Sequence, residues 1–330
     1  MIGVAMLSRW HVHADDYALQ AAAHPELEIR AVWDEEPERG KAWAEEMGVP
    51  FVTELTEVLA NPAIDAVIVA APTTLHKDIL IQAARSGKHI FSEKVLAPTE
   101  QDCEAILSEV RAQGVHLMLS LKRLTDDYYV YAQDALDRGL LGRLLQVRCR
   151  LAHNGALPKE GKPFGILPAT FFDPAVSGGG ALIDLGSHPV YLTNRLAGKV
   201  KHLYAQMDYA LGHPVEDSAV IVAEYESGAL GIIEASLAAS GNFLLELHGT
   251  EGTLMIEKGR PLRIRSSRLG DGSWQTPSLP DSLPSAMEQW VAQMSTGTPP
   301  TITHEDFVEL TRVIEAAAHS YEAGGRVSLN

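Results

Sequence analysis

Cysteine is nearly missing from this chain of 330 residues: it has only Cys103 and Cys149. Each lies in an otherwise apolar pattern, and neither belongs to a CxxC or Cys/His spacing. That excludes a disulfide framework and argues against a structural zinc cluster built on thiolates. Positive charge is also scarce, since 27 Lys and Arg stand against 43 Asp and Glu, for a net charge of −16. The acids are scattered through helical patterns such as residues 34–46, so they read as a solvated surface. Their excess argues against nucleic acid or an anionic membrane as a partner. No apolar run reaches the roughly 18 residues that a membrane span needs. The opening MIGVAMLSRWHVHADD lacks the basic and then apolar regions of a signal peptide, so the expected location is the cytoplasm. Internal repeats and low-complexity tracts are likewise missing.

What is present is an apolar content of 46% and enough length for two domains, each with a core of its own. In the first part, short apolar runs alternate with longer helical patterns, the signature of a parallel sheet built from βαβ units. Strands are predicted at 2–7, 29–33, 66–71, 89–91 and 115–119, with helices at 15–23, 36–47, 76–86 and 100–113 between them. Gly48 and Gly87 follow helical patterns as C-terminal caps do. Thr99 with Glu100 and Asp102 opens a helix with a capping hydroxyl and an acidic first turn.

From about residue 122 the pattern changes to longer alternating strands. Residues 144–151 alternate Leu, Val and Cys with Gln146, Arg148 and Arg150, which buries one face and wets the other. Further strands are predicted at 200–207, 219–225, 229–236, 243–248 and 252–257, joined by short Gly-bearing turns. Residues 266–285 read as a surface excursion and 305–321 as a last amphipathic helix. The expected architecture is α/β: an N-terminal Rossmann-type doubly wound parallel sheet over 1–121, then an α+β domain over 122–330 with a large, mostly antiparallel open sheet. A C-terminal helix at about 304–323 is expected to pack back on the first domain.

The most informative stretch for chemistry is Gly178-Gly179-Gly180-Ala181-Leu182-Ile183-Asp184-Leu185-Gly186-Ser187-His188. On one helix, Asp184 and His188 share a face. The carboxylate can then orient the imidazole, making a proton-transfer pair; the same spacing also suits a purely structural hydrogen bond.

This stretch follows a nucleotide-type domain that carries Glu93-Lys94 after its predicted fourth strand. Ala71-Pro72-Thr73-Thr74-Leu75-His76 and Gly87-Lys88-His89 precede that pair, Lys122-Arg123 lies between it and the glycine stretch, and Gly228-Ala229-Leu230-Gly231 and Glu246-Leu247-His248-Gly249-Thr250-Glu251-Gly252 come later. In order and spacing the whole chain resembles the glucose-fructose oxidoreductase/inositol dehydrogenase (Gfo/Idh/MocA) family. That resemblance implies an NAD(P)-dependent dehydrogenase of a sugar, inositol, related polyol or sugar-derived lactone. It casts His188 as the base, Asp184 as its orienting partner, and Lys94 as the group that holds the reacting oxygen and relays its proton. Lys94 and His188 are expected to converge on one alcohol carbon, with a lowered lysine pKa from partial desolvation. The implied cofactor-binding set is Leu7, Ser8, Arg9, Trp10, Asp34, Ala71, Pro72, His76, Glu93 and Lys94. Arg123, His153, Asn154 and Asp173 join Lys94, Asp184 and His188 as candidate substrate contacts, while Phe171 and Phe172 read as core or pocket wall.

Two departures stand out. Where the family has Glu-Lys-Pro, this chain has Glu93-Lys94-Val95, and a cis bond before valine would cost about 3 kcal/mol, which predicts a trans bond and a shifted Lys94. Where a G-x-G-x-x-G phosphate loop is expected, the aligned residues are Ala5, Leu7 and Trp10, so tight turn and close pyrophosphate approach are both lost. A cofactor then needs a reshaped loop using Ser8 and Arg9. Asp34, at the predicted end of strand two, suits the ribose hydroxyls of NAD and disfavours NADP, and it equally suits a helix N-cap. His11 and His13 beside Asp15 and Asp16 invite a metal, but no further spaced ligand set supports one, so none is expected. Two other readings stay open: an NAD-retaining lyase or glycosidase using transient oxidation, and a cofactor-free binding protein. A homodimer or homotetramer through the C-terminal sheet is expected.

Overall fold

The computed structural model describes residues 1–329, which divide into two compact units. The first comprises Met1–Leu121 and Pro284–Val308. It begins with β1 (Ile2–Leu7), α1 (Ala14–Ala23), β2 (Leu27–Trp33), α2 (Pro37–Met47), α3 (Leu55–Ala60), β3 (Ala66–Val69), α4 (His76–Arg85), β4 (His89–Ser92), α5 (Glu100–Gln113) and β5 (Leu117–Leu119). The strands form one parallel sheet in the order β2-β1-β3-β4-β5. The order reverses between β1 and β3, and at the carboxyl ends of such strands ligands of doubly wound sheets bind. Residues 3–7 and 66–69 are buried, as expected of strands covered on both faces. The predicted caps are in place: Thr99 Oγ1 accepts the Asp102 N–H at 3.1 Å, and Gly48 closes α2 at φ 68°.

The second unit comprises Lys122–Leu283 and Glu309–Asn330. It contains α6 (Asp127–Asp137), β6 (Leu144–Ala152), α7 (Pro174–Ser177), α8 (Ala181–Asp184), α9 (Ser187–Ala197), β7 (Val200–Asp208), β8 (Ser218–Tyr225), β9 (Leu230–Ser236), β10 (Leu244–Gly249), β11 (Gly252–Glu257) and β12 (Arg263–Ser266). The chain returns to the first unit with α10 (Ala286–Thr296), whose Trp290 ring lies 5.7 Å from that of Phe91 on β4. Next comes α11 (His304–Ala323), and β13 (Val327–Ser328) adds the last strand of the eight-stranded sheet β12-β11-β10-β6-β9-β8-β7-β13. All its neighbours are antiparallel except β6 and β9. One row across it, Ala205, Ile221, Ile233, Cys149, Leu245 and Ile256, is buried, and α9 packs on β6 and β9. The neighbouring row carries Tyr204, Val222 and Ile232, which stay 42%, 50% and 43% exposed. Among the described residues no helix is long and apolar enough to cross a membrane.

Candidate active site

In the first unit, β1 delivers Leu7 to a six-residue loop before α1. Ser8 turns the chain with φ 72°, the one non-glycine residue with positive φ among those described. Its Oγ accepts the Trp10 N–H at 3.1 Å, so a side-chain turn replaces the glycine turn. Four further N–H groups of the loop point inward. Ser8 donates to Trp33 O, Arg9 to Asp34 Oδ2, His11 to Ala70 O, and His13 to His11 Nδ1. Trp10 is buried at 6% exposure. The Arg9 guanidinium turns to Asp15 and Glu46, each at 2.9 Å, and lies over the Trp43 ring.

Asp34 is buried at the end of β2, and its carboxylate is saturated. Oδ1 accepts from Glu36 N at 2.8 Å and Arg39 Nη2 at 2.6 Å; Oδ2 accepts from Arg9 N at 2.8 Å and Arg39 Nε at 3.0 Å. Four donors fill the roughly four lone-pair sites of a carboxylate, so a ribose hydroxyl has to displace Arg39. Asp15 and Asp16 occupy the first turn of α1, where negative charge opposes a phosphate. The sheet order fits a dinucleotide. The β1–α1 loop, as folded, does not fit its pyrophosphate.

At the carboxyl end of β4 sits Glu93, 1% exposed, followed by Lys94 at 3%. Glu93 Oε2 is 3.0 Å from His13 Nδ1 and 3.6 Å from His11 Nδ1, and it accepts the Tyr17 hydroxyl; Oε1 accepts Lys94 N at 3.0 Å and lies 3.8 Å from Lys94 Nζ. Burial opposes the charge, yet His11, His13 and Lys94 hold the carboxyl well below its ordinary range. Tyr17, desolvated beside that carboxylate, is pushed well above the usual phenol value.

The Lys94–Val95 bond is cis, which corrects the trans expectation: the preference of an isolated dipeptide yields to a segment pinned on both sides. Lys94 N is held by Glu93, and Val95 O meets His76 Nδ1 at 2.8 Å. His76 Nε2 meets Ala71 O at 3.0 Å, and burial lowers the pKa of this ring. Both nitrogens of His76 therefore face backbone carbonyls, and with buried Ala71 and Pro72 the ring serves as a brace for the Glu93–Lys94 segment.

In the second unit, the single helix expected over Asp184 and His188 is broken. α8 ends at Asp184, Gly186 sits between, and α9 starts at Ser187. Gly186 has no room for a Cβ, which would fall 2.4 Å from Leu182 O; at Gly180 a Cβ would fall 2.0 Å from Glu216 O. The buried Glu216 carboxylate accepts the N–H groups of Gly180 and Leu182 at 3.0 and 2.9 Å, tying the glycine segment down. His188 is 5% exposed, with Nδ1 2.8 Å from the Tyr191 hydroxyl. Tyr191 also accepts Arg123 N at 3.3 Å, and Arg123 continues to Tyr128 at 3.0 Å and over the Phe243 ring. The Tyr128 hydroxyl donates to Asp126 at 2.6 Å. Tyr191 and Tyr128 were missed in the sequence, although an aromatic three residues after His188 shares its helix face.

The other candidates are structural or outlying. Asp173 is exposed and caps α7 through Ala175 N at 3.0 Å; His153 Nδ1 accepts Gly155 N at 3.0 Å; Asn154 is exposed beside Ser240; Phe171 and Phe172 are buried.

Comparison with known proteins gives this geometry its class. Residues 1–121 match the oxidoreductase family with an NAD-binding Rossmann fold, and residues 129–255 match the GFO/IDH/MocA C-terminal domain. The chain belongs to the Gfo/Idh/MocA family of oxidoreductases. Among its relatives, scyllo-inositol 2-dehydrogenase (NAD(+)) of Bacillus subtilis (strain 168) is 28% identical over 322 residues, 93% of this chain and 90% of that one. The scyllo-inositol 2-dehydrogenase (NADP(+)) IolU of the same organism is 27% identical, covering 82% and 80%. The crystal structure of GenD2 from gentamicin A biosynthesis, in complex with NAD, superposes with a TM-score of 0.84 at 26% identity over 100% of this chain and 96% of that one. Named relatives thus divide between the two nucleotides.

Proposed function

We propose that this protein transfers a hydride to or from a secondary alcohol carbon of a sugar, inositol, related polyol or sugar-derived lactone, with NAD ahead of NADP. The observation that carries it is the buried Glu93–Lys94 pair, locked at the carboxyl end of β4 by His76 and Glu93, in a chain of this family. Nicotinamide supplies the hydride acceptor in such chemistry; its binding here needs residues 8–13 and Arg39 to rearrange.

The protein's own residues deal with the proton. Lys94 holds the alcohol or carbonyl oxygen and relays its proton. His188 is the base, its Nδ1 held 2.8 Å from the Tyr191 hydroxyl. Asp184 orients it from the end of α8, and Arg123, held by Tyr128 and Phe243, leads the candidate contacts to substrate hydroxyls. The experiment is titration of NAD and NADP into the purified protein, followed by a panel of inositols and aldoses monitored for reduced nicotinamide. Nucleotide binding with turnover on a cyclic polyol supports the reading; neither heat nor reduction at millimolar nucleotide rejects it.

The inward-bonded loop favours a second reading, a cofactor-free binding protein, and beside it stands an NAD-retaining lyase or glycosidase that uses transient oxidation. Nucleotide binding without net reduction selects the lyase. We also propose that the exposed row Tyr204, Val222 and Ile232 pairs with a second copy of the chain, as a dimer or tetramer. Sedimentation as a 35.8 kDa monomer at micromolar concentration contradicts this.

A further inference from the structure

We propose that His11, His13 and Glu93 form a binding site for one divalent transition-metal ion of the Zn²⁺ or Fe²⁺ type, in the loop where the dinucleotide glycines are missing. One ligand atom from each residue lies within 4.8 Å of the others. Glu93 Oε2 lies 3.0 Å from His13 Nδ1 and 3.6 Å from His11 Nδ1, which brackets the spacing of about 3.3 Å between neighbouring donors of a tetrahedral zinc ion with bonds near 2.0–2.1 Å; an ion on His11 Nδ1 displaces the His13 N–H that this nitrogen accepts. The imidazole rings stand 4.7 Å apart and tilted by 51°, so they approach from two directions.

Three further features suit an ion. The chain is preorganised: Ser8 Oγ fixes the turn, His11 N is tied to Ala70 O, and β4 delivers Glu93. The donors are graded in access, since the side chains of Glu93 and His11 are 1% and 4% exposed and that of His13 is 25% exposed. One side therefore stays open for entry and for a further ligand. The Tyr17 hydroxyl donates to the Glu93 carboxylate and its ring packs edge-on against Phe91, so the carboxylate is oriented from outside the donor set. Two imidazoles and one carboxylate are a donor set for zinc or non-haem iron, not for calcium or magnesium. The sequence held two of the three donors in the HxH of residues 11–13. The third donor is Glu93 and not Asp15, which is exposed and paired with Arg9. An ion there lies beside Lys94 and can polarise the oxygen of a bound hydroxyl or carbonyl group.

The test uses the untagged full-length protein, stripped with chelator and free of nucleotide, so its outcome is independent of whether NAD binds. Zn²⁺ is titrated by calorimetry, and Co²⁺ is added as a spectroscopic probe. The expected result is one Zn²⁺ per chain and visible d–d bands of four- or five-coordinate Co²⁺. Affinity should fall more than about 100-fold in His13→Ala and in Glu93→Gln, beyond the 10–100-fold of typical outer-shell changes, and stay unchanged in His319→Ala on the exposed face of α11. Circular dichroism checks folding, and because the His13 ring is part-exposed, that variant decides if Glu93→Gln fails to fold. No stoichiometric uptake, or uptake that persists in His13→Ala, overturns the site and leaves an ion-pair network of Glu93 with its two histidines.

Discussion

Two loops that each follow a buried strand or glycine run have met opposite fates in this chain. Residues 178–188 keep the family's glycines, and the structure shows why: backbone oxygens of Glu216 and Leu182 occupy the places where side-chain carbons would go. At the end of β1 and in residues 8–13, Ala5, Leu7 and Trp10 stand where the family resemblance leads one to expect glycine, and the space holds Trp10, the Ser8 turn and two histidines. The difference teaches that a glycine whose hydrogen faces the protein's own backbone leaves no room for a side chain, whereas the loop after β1 has room for the protein's own side chains where a dinucleotide's close approach would call for glycine.

The largest effect that sharpens this contrast is on turnover. Lys94→Ala or His188→Ala should each lower kcat by about 10² to 10⁴, the range of general acid–base assistance, with far-UV circular dichroism unchanged; an active His188→Ala enzyme removes the proton-transfer assignment. Next comes stability. Gly180→Val should cost about 2–3 kcal/mol, as overpacking against backbone does, read as a lower denaturant midpoint. A neutral result would erase the claim that this segment is committed to glycine.

A smaller effect concerns pH in the first unit. Burial holds His89 and His304 below the ordinary histidine value, and His116, stacked on His89 at 5.0 Å, is shifted the same way. Between the folded and unfolded pKa values the unfolded chain binds more protons. Stability from these rings is therefore fully present above about pH 6.5 and declines as pH falls below it. The Tm of the wild type should drop more between pH 7.5 and 5.5 than that of His89→Asn; parallel curves refute the assignment. The smallest effect is Ser8→Gly. Relief of the positive φ, about 1–2 kcal/mol, nearly offsets the lost Oγ acceptor, about 1 kcal/mol, so Tm should hardly move. A large loss would show that Ser8 carries the loop.

Local signals made much of this fold legible. β1 was read residue for residue, α5 was announced by Thr99 and its acids, and the mostly antiparallel sheet followed from the alternation of β6 to β11. α3 and α6 were missed. α10 was missed although Ser285 and Glu288 form a capping box, because the reading of 266–285 as an excursion stopped short of the helix that follows it. The break at Gly186 was illegible because it depends on Leu182 crowding the backbone. Of the candidate site, Lys94, Asp184 and His188 came from a sequence pattern, while the meeting of Glu93 with His11 and His13 could not, since about eighty residues separate them and only the sheet brings the ends of β1 and β4 together.

The eight-stranded sheet is bordered by its two shortest members, β12 with four residues and β13 with two. A neighbouring chain finds little main chain there to zip onto, and strand-by-strand polymerisation has no long template. Open-ended growth by edge pairing, one sheet extending the next into a fibre, is thereby disfavoured.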